Sequence, residues 1–327
     1  MKKTNIHPIF TFLGLLMGLF FSHAVFAQQD PQFTHYMYNG MFYNPALAGA
    51  ESGYNFSALH RTQWLGYSGS NGAGGAPITQ LLTGSGRLDQ YNAGFGITFV
   101  NDDIGPTNNQ EVNVSLAYHY SIGLGVLSIG VSGGIFSSTL KYDQIDLVNP
   151  DPLVPGSGRE NQINTNFGVG VHYDRGNYFV GVSSRHLNEP GFDFGVDEGQ
   201  FSNQLRNHSY VLAGYRLRTF ALWTIEPSLL VKSVSFNNFS YDVSVIATHN
   251  NKISGGLAFR GEESLSLLFG YSLLRDNSLR LGYAFDLVIS GVEAKAPTSH
   301  EFMLSYSLPS ATREVQKVIQ RTPRFRY

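Results

Sequence analysis

From Glu111 to Ser121 the chain alternates without a break: Val112, Val114, Leu116, Tyr118 and Tyr120 fall on one side, Asn113, Ser115, Ala117, His119 and Ser121 on the other. A period of two is that of a β-strand. The dyad recurs about every fifteen residues toward the C-terminus, with tyrosines at strand ends and small residues on the polar side, a pattern of membrane barrels rather than soluble sandwiches. It predicts fourteen strands, over 54–64, 77–89, 91–101, 111–121, 124–138, 163–174, 177–187, 206–218, 220–233, 239–249, 252–260, 263–273, 278–289 and 299–308. An even number suits a closed bacterial barrel. Arg280 and Asp286 share a side opposite Leu281, Tyr283, Phe285 and Leu287; charge facing lipid is costly, so that side is the lumen. The expected fold is therefore all-β, an antiparallel transmembrane β-barrel with an N-terminal plug-like segment.

Connections give a second criterion. Those after even-numbered strands are tight, while those after odd-numbered strands, 65–76, 102–110, 139–162, 188–205 and 290–298, read as longer outer loops, with 261–262 as the exception. Both termini are then expected in the periplasm.

The ends of the chain add three segments. Lys2 and Lys3, an apolar run from Ile9 to Phe21, and Val25 and Ala27 before a cut read as a signal peptide over 1–27, since the run is too short to span a bilayer. Residues 28–53 are crowded with Phe33, Tyr36, Tyr38, Phe42 and Tyr43, yet rich in Pro and Gly, so they are expected as an irregular plug in the barrel mouth. After the barrel (54–308) comes a tail, 309–327, with Arg313, Lys317, Arg321, Arg324 and Arg326 against Glu314 alone, read as a periplasmic docking peptide.

Composition narrows function mainly by exclusion. Removing residues 1–27 shifts the net charge from -2 to -4, which argues against nucleic acid as a partner. With no cysteine there are no disulfides or thiolate metal sites. Gly130-Val131-Ser132-Gly133-Gly134 matches a nucleophile elbow but lies within a strand with no helix following. His119 and His172 share lumen parity without an acid at ligand spacing, so they read as lining rather than a metal or proton-transfer site. No catalytic residue, cofactor or metal is expected.

Several stretches together resemble the PorP/SprF family of type IX secretion system outer-membrane proteins: QDPQFTHYMYNGMFYNPALAGA (29–50), HRTQWLG (60–66), GAPITQ (75–80), FVNDDIGP (99–106), FGVGVHYDRGNYFVGVSSRHL (167–187), EPSLLVKSV (226–234), LRLGYAFDL (279–287) and SHEFMLSYSL (299–308). The resemblance implies a non-enzymatic barrel in the outer membrane that works with type IX secretion and gliding components. Such a barrel helps export or anchor a cognate surface adhesin, recognised through the adhesin's C-terminal domain. It also implies that Asn44 and Pro45 belong to the plug and that Arg61 and Trp64 mark the rim at the end of the first strand. The basic tail departs from the family pattern. The alternative is a fatty-acid-type channel for hydrophobic small molecules, which the polar lumen residues disfavour.

Overall fold

The computed structural model describes residues 30–68, 75–145, 157–194, 203–219, 222–261, 263–291 and 295–308. Fourteen antiparallel strands close into a barrel. They are β1 (Tyr54–Thr62), β2 (Ile78–Leu88), β3 (Ala93–Ile104), β4 (Thr107–Ile122), β5 (Gly125–Lys141), β6 (Arg159–Asp174), β7 (Tyr178–Arg185), β8 (His208–Tyr215, continued at Leu217–Arg218), β9 (Trp223–Val234), β10 (Asn238–His249), β11 (Ile253–Arg260), β12 (Ser264–Leu273), β13 (Leu279–Val288) and β14 (Thr298–Leu308). Each strand pairs with its sequence neighbours, and β14 closes on β1 from Tyr54 opposite Leu308 to Thr62 opposite His300. β1 thus begins and β14 ends at one rim, here the turn end; the opposite rim is the loop end. A closed ladder leaves no unpaired edge, which is what a sheet surrounded by hydrocarbon requires.

The faces follow the alternation. Along β4, Leu116 is 58% exposed and Tyr118 53%, while the alternating Ala117 and His119 are buried. Arginine at Leu116, near the middle of the outer band, should cost about 2–4 kcal/mol of folding stability in lipid vesicles, with Leu116→Ala as reference. Equal denaturant midpoints for the two variants would mean that this face does not meet hydrocarbon.

Two sequence expectations need correction. The connection after β3 is the two-residue turn 105–106, because β3 and β4 run on through 102–110, and that after β9 (235–237) is short as well, whereas the short connection after β11 is the expected exception. Loop length therefore separates the two rims less cleanly than expected. The physical reason is that, once the sheet rises above the hydrocarbon, both faces can be polar while the ladder continues. There Asn108 and Gln110 donate from their side-chain amides to Asn101 Oδ1 at 3.2 and 3.1 Å, and Lys141 Nζ lies 2.8 Å from Asp103 Oδ1. The alternation stops, but pairing does not. β5 and β6 lengthen likewise, and the 188–205 stretch carries a small ladder of Gly191–Phe192 with Asn203–Gln204. Phe192 and Leu205 pack there on Phe136.

The lumen also holds more apolar surface than expected. Leu59, Leu81, Val100, Leu212 and Leu230 face inward and pack with Phe33, Tyr36, Phe42 and Tyr43, the aromatics of the segment that precedes β1.

Candidate functional site

Residues 30–53 run inside the barrel from one rim toward the other. Asp30 contacts Arg185 and His186, at the loop end of β7. The segment then descends through a single helical turn, Gly40–Tyr43, and a 3-10 turn, Pro45–Leu47, to reach β1 at the turn end. Asn44 makes that second turn possible: its Oδ1 accepts from Ala46 N at 2.9 Å, and Pro45, with no N–H to satisfy, occupies the first helical position. Asn44 Nδ2 donates to Val171 O on β6 at 3.0 Å. His119 holds the next residues, with Nε2 3.0 Å from Ala48 O and Nδ1 2.8 Å from Ser128 Oγ.

Glycines let the backbone come this close to the wall. A Cβ on Gly94 would lie 2.0 Å from Ala48 O, and one on Gly130 2.4 Å from Ala46 N. Gly130 and Gly134 thus serve packing rather than a nucleophile turn; Gly134 itself abuts Val112 O.

Above these contacts the first six residues of the segment meet a belt of buried charge contributed by most of the barrel. On β1, β13 and β14, Arg61 Nη1 lies 2.7 Å from Asp286 Oδ2 and 3.2 Å from Glu301 Oε2, and donates to Thr34 Oγ1 at 3.0 Å. Glu301 in turn accepts the backbone N–H groups of Thr34 and His35, each at 2.8 Å, and lies 2.7 Å from His35 Nδ1. On β9, β10 and β11, Asp242 sits between Lys232 (3.0 Å) and Arg260 (3.3 Å), and Lys232 Nζ donates to Gln32 Oε1 at 2.8 Å. On β4 and β7, Arg185 joins Glu111 (2.6 Å) to Asp30 (2.8 Å). Asp30, Gln32 and Thr34 thus each engage a different sector of the wall. Buried ions of this kind are held only when paired, so the belt fixes the position of the segment as well as its own geometry. Below it, Tyr36 OH lies 2.9 Å from both Ser228 Oγ and Ser244 Oγ.

The sequence-predicted residues fare differently. Asn44 and Pro45 are buried against the wall. Arg61 is not a rim residue: it is 1% exposed at the centre of an ion cluster, because its parity on β1 points inward beside Glu301. Trp64 does stand beyond the end of β1, in a left-handed conformation (φ 53°), with its backbone N–H donating to Ser299 Oγ at 3.0 Å and Lys295 Nζ 5.1 Å from its ring centre. His172 is buried beside Phe179. Arg313, Lys317, Arg321, Arg324 and Arg326, and the signal peptide, lie outside the described residues. Sequence reasoning missed Asp30, Thr34, His35, Glu111, Arg185, Asp242 and Glu301. The available signal was charge at lumen parity, and only Asp286 and Arg280 were read that way.

Two hollows remain. One, of about 850 Å³, opens inside the turn end among Met41, Arg87, His172, Arg216 and Arg280. The other, of about 870 Å³, lies on the membrane side, lined by outward residues of β1–β3 and β11–β14 including Leu82, Phe99, Phe269, Leu281 and Phe302. Above the loop end, Tyr142 OH donates to Glu160 at 2.7 Å; burial of the hydroxyl, then the neighbouring carboxylate, push Tyr142 up to about 12. It stays a donor across the physiological range.

Residues 25–306 match the family model described as type IX secretion system membrane protein PorP/SprF. No curated protein matches the chain in sequence. Among solved structures, the Ralstonia pickettii toluene transporter TbuX aligns with a TM-score of 0.51 at 12% identity, over 82% of this chain and 93% of that one. A TodX monoaromatic hydrocarbon channel carrying the deltaS2S3 mutation aligns with a TM-score of 0.50 at 11% identity, over 83% and 94%. At such identities the likeness is one of fold.

Proposed function

Since the chain belongs to the PorP/SprF family of type IX secretion system membrane proteins, we propose that it is a non-enzymatic outer-membrane barrel that helps export or anchor a cognate surface adhesin, which it recognises through the adhesin's C-terminal domain. Residues 30–53 act in this reading as a resident plug, and the barrel works as a docking platform rather than as the conduit itself. The observation that supports the platform reading is the buried ionic belt, because a polypeptide crossing the lumen would have to displace a segment tied to Asp286, Glu301, Arg185 and Lys232. Cargo then meets the loop end, where β3–β6 rise above the membrane. Leu308, at the turn end, delivers the basic tail with Arg313 and Lys317 to periplasmic secretion and gliding components.

A second reading is transport of hydrophobic small molecules. It draws on the two structural neighbours described above, a toluene transporter and a monoaromatic hydrocarbon channel, and on the apolar hollow on the membrane side. The charged belt weighs against it, because an apolar solute crossing the lumen would have to displace ion pairs.

Affinity purification of the intact protein from native outer membranes tests the choice. The adhesin reading expects one large exported chain to co-purify, and its surface display to vanish on deletion. Normal display in the deletion strain, with altered uptake of an aromatic hydrocarbon, would support the channel instead.

A further inference from the structure

Asp30, His186 and His208 come from three separate stretches of chain, and each places one ligand-capable atom within 4.8 Å of the other two. All three residues are buried. Carbonyl oxygens orient both imidazoles. His208 Nδ1 lies 2.9 Å from Arg206 O. His186 Nδ1 lies 2.9 Å from Asn166 Oδ1, while the amide nitrogen of Asn166 is committed to Glu111. A ring whose Nδ1–H is held by a carbonyl oxygen presents Nε2 as its bare nitrogen, which is how metal-ligating histidines are prepared. The ring centres are 5.6 Å apart with planes at 85°. Two imidazoles sharing one zinc through Nε2, at about 2.0 Å each, would hold their centres about 5 Å apart.

Two further observations point to a cation. His208 Nε2 is buried with no hydrogen-bond partner, and an orphaned buried acceptor is costly. Asp30 and Glu111 share the single guanidinium of Arg185, which takes Asp30 Oδ2 at 2.8 Å and Glu111 Oε2 at 2.6 Å, so two buried carboxylates compete for one guanidinium. Tyr210 OH also donates to Asp30 Oδ2, leaving Oδ1, 2.8 Å from His186 Nε2, as the oxygen that faces the histidines. A metal ion answers both needs.

We propose that Asp30 Oδ1, His186 Nε2 and His208 Nε2 form a binding site for a divalent transition metal of the zinc class, with a fourth position open. The ion fastens the start of the inner segment to the ends of β7 and β8. This goes beyond the adhesin reading and does not depend on it. The sequence hid the site because its ligands lie far apart along the chain, outside any short metal-ligand spacing.

The test uses the full mature protein, purified in detergent, stripped with chelator and dialysed against Co²⁺ or Zn²⁺. The expected result is one metal per chain by elemental analysis and the visible absorption of low-coordinate Co²⁺. Asp30→Asn and His208→Gln should each weaken binding by about 10-fold or more, while Asp103→Asn, in the partly exposed pair with Lys141, should not. Folding of each variant is checked by the shift in its gel migration on heating. Substoichiometric metal in the wild type would overturn the proposal, as would full binding by a folded His208→Gln variant. If both ligand variants fail to fold, wild-type stoichiometry decides.

Discussion

Replacing Arg61 by methionine should loosen residues 30–35 and destabilise the protein by about 3–5 kcal/mol, the usual cost of removing one member of a buried ion cluster. Arg61 is the cation between Asp286 and Glu301, and Thr34 and His35 are bound to those same two carboxylates. Without the guanidinium, two buried anions face each other, and the segment loses its ties on that sector. Hydrogen exchange should rise across residues 30–50, and the denaturant midpoint should fall. The triple variant Arg61→Met, Asp286→Asn, Glu301→Gln should recover much of the lost stability, because neutral side chains of similar size leave no buried charge uncompensated. A single variant as stable as the wild type, with unchanged exchange, would mean that the cluster does not hold the segment.

A second large effect should come from adding bulk without touching any charge. Gly94→Val and Gly130→Val direct side-chain atoms at backbone of the inner segment, at Ala48 O and Ala46 N, where even a Cβ stands at 2.0 and 2.4 Å. Backbone held on several sides cannot yield by a rotamer change. Overpacking typically costs about 1–3 kcal/mol, and these contacts lie at or beyond the upper end. The barrel ladder is independent of these contacts, so the expected product is a folded barrel with its segment unseated, seen as a rise in ion conductance in planar bilayers. Gly133→Ala is the control: its Cβ would meet only the Phe167 ring, at 3.6 Å. Silent bilayers for folded Gly94→Val and Gly130→Val would show that the segment is not what closes the lumen.

The contrast between these two predictions shows what the sequence could and could not reveal. Strand positions and their lumen and lipid faces were legible wherever hydrocarbon bathes one side, because the bilayer itself forces the alternation seen at Val112–Tyr120. Where β3 and β4 rise above it, Asn101, Asp103, Asn108 and Gln110 make the outer face polar, and the alternating signal ended before the strands did. The ionic belt was illegible for another reason. Thr34 and Asp286 are 252 residues apart and meet only because the segment turns back into a closed barrel. Arg61 stood out in sequence, but its inward parity beside Glu301 outweighed its position near the strand end.

The chain has no cysteine, which permits a direct test of where residues 30–53 sit. A Cβ on Gly96 would lie 3.4 Å from the Ala48 Cβ, with only the flexible Met41 thioether in its way, and such a separation is close to that of a disulfide. In native outer membranes carrying Ala48→Cys and Gly96→Cys, mild oxidation should yield the cross-linked peptide pair by mass spectrometry. If instead both thiols stay free and react with a membrane-impermeant maleimide, the segment does not occupy the barrel.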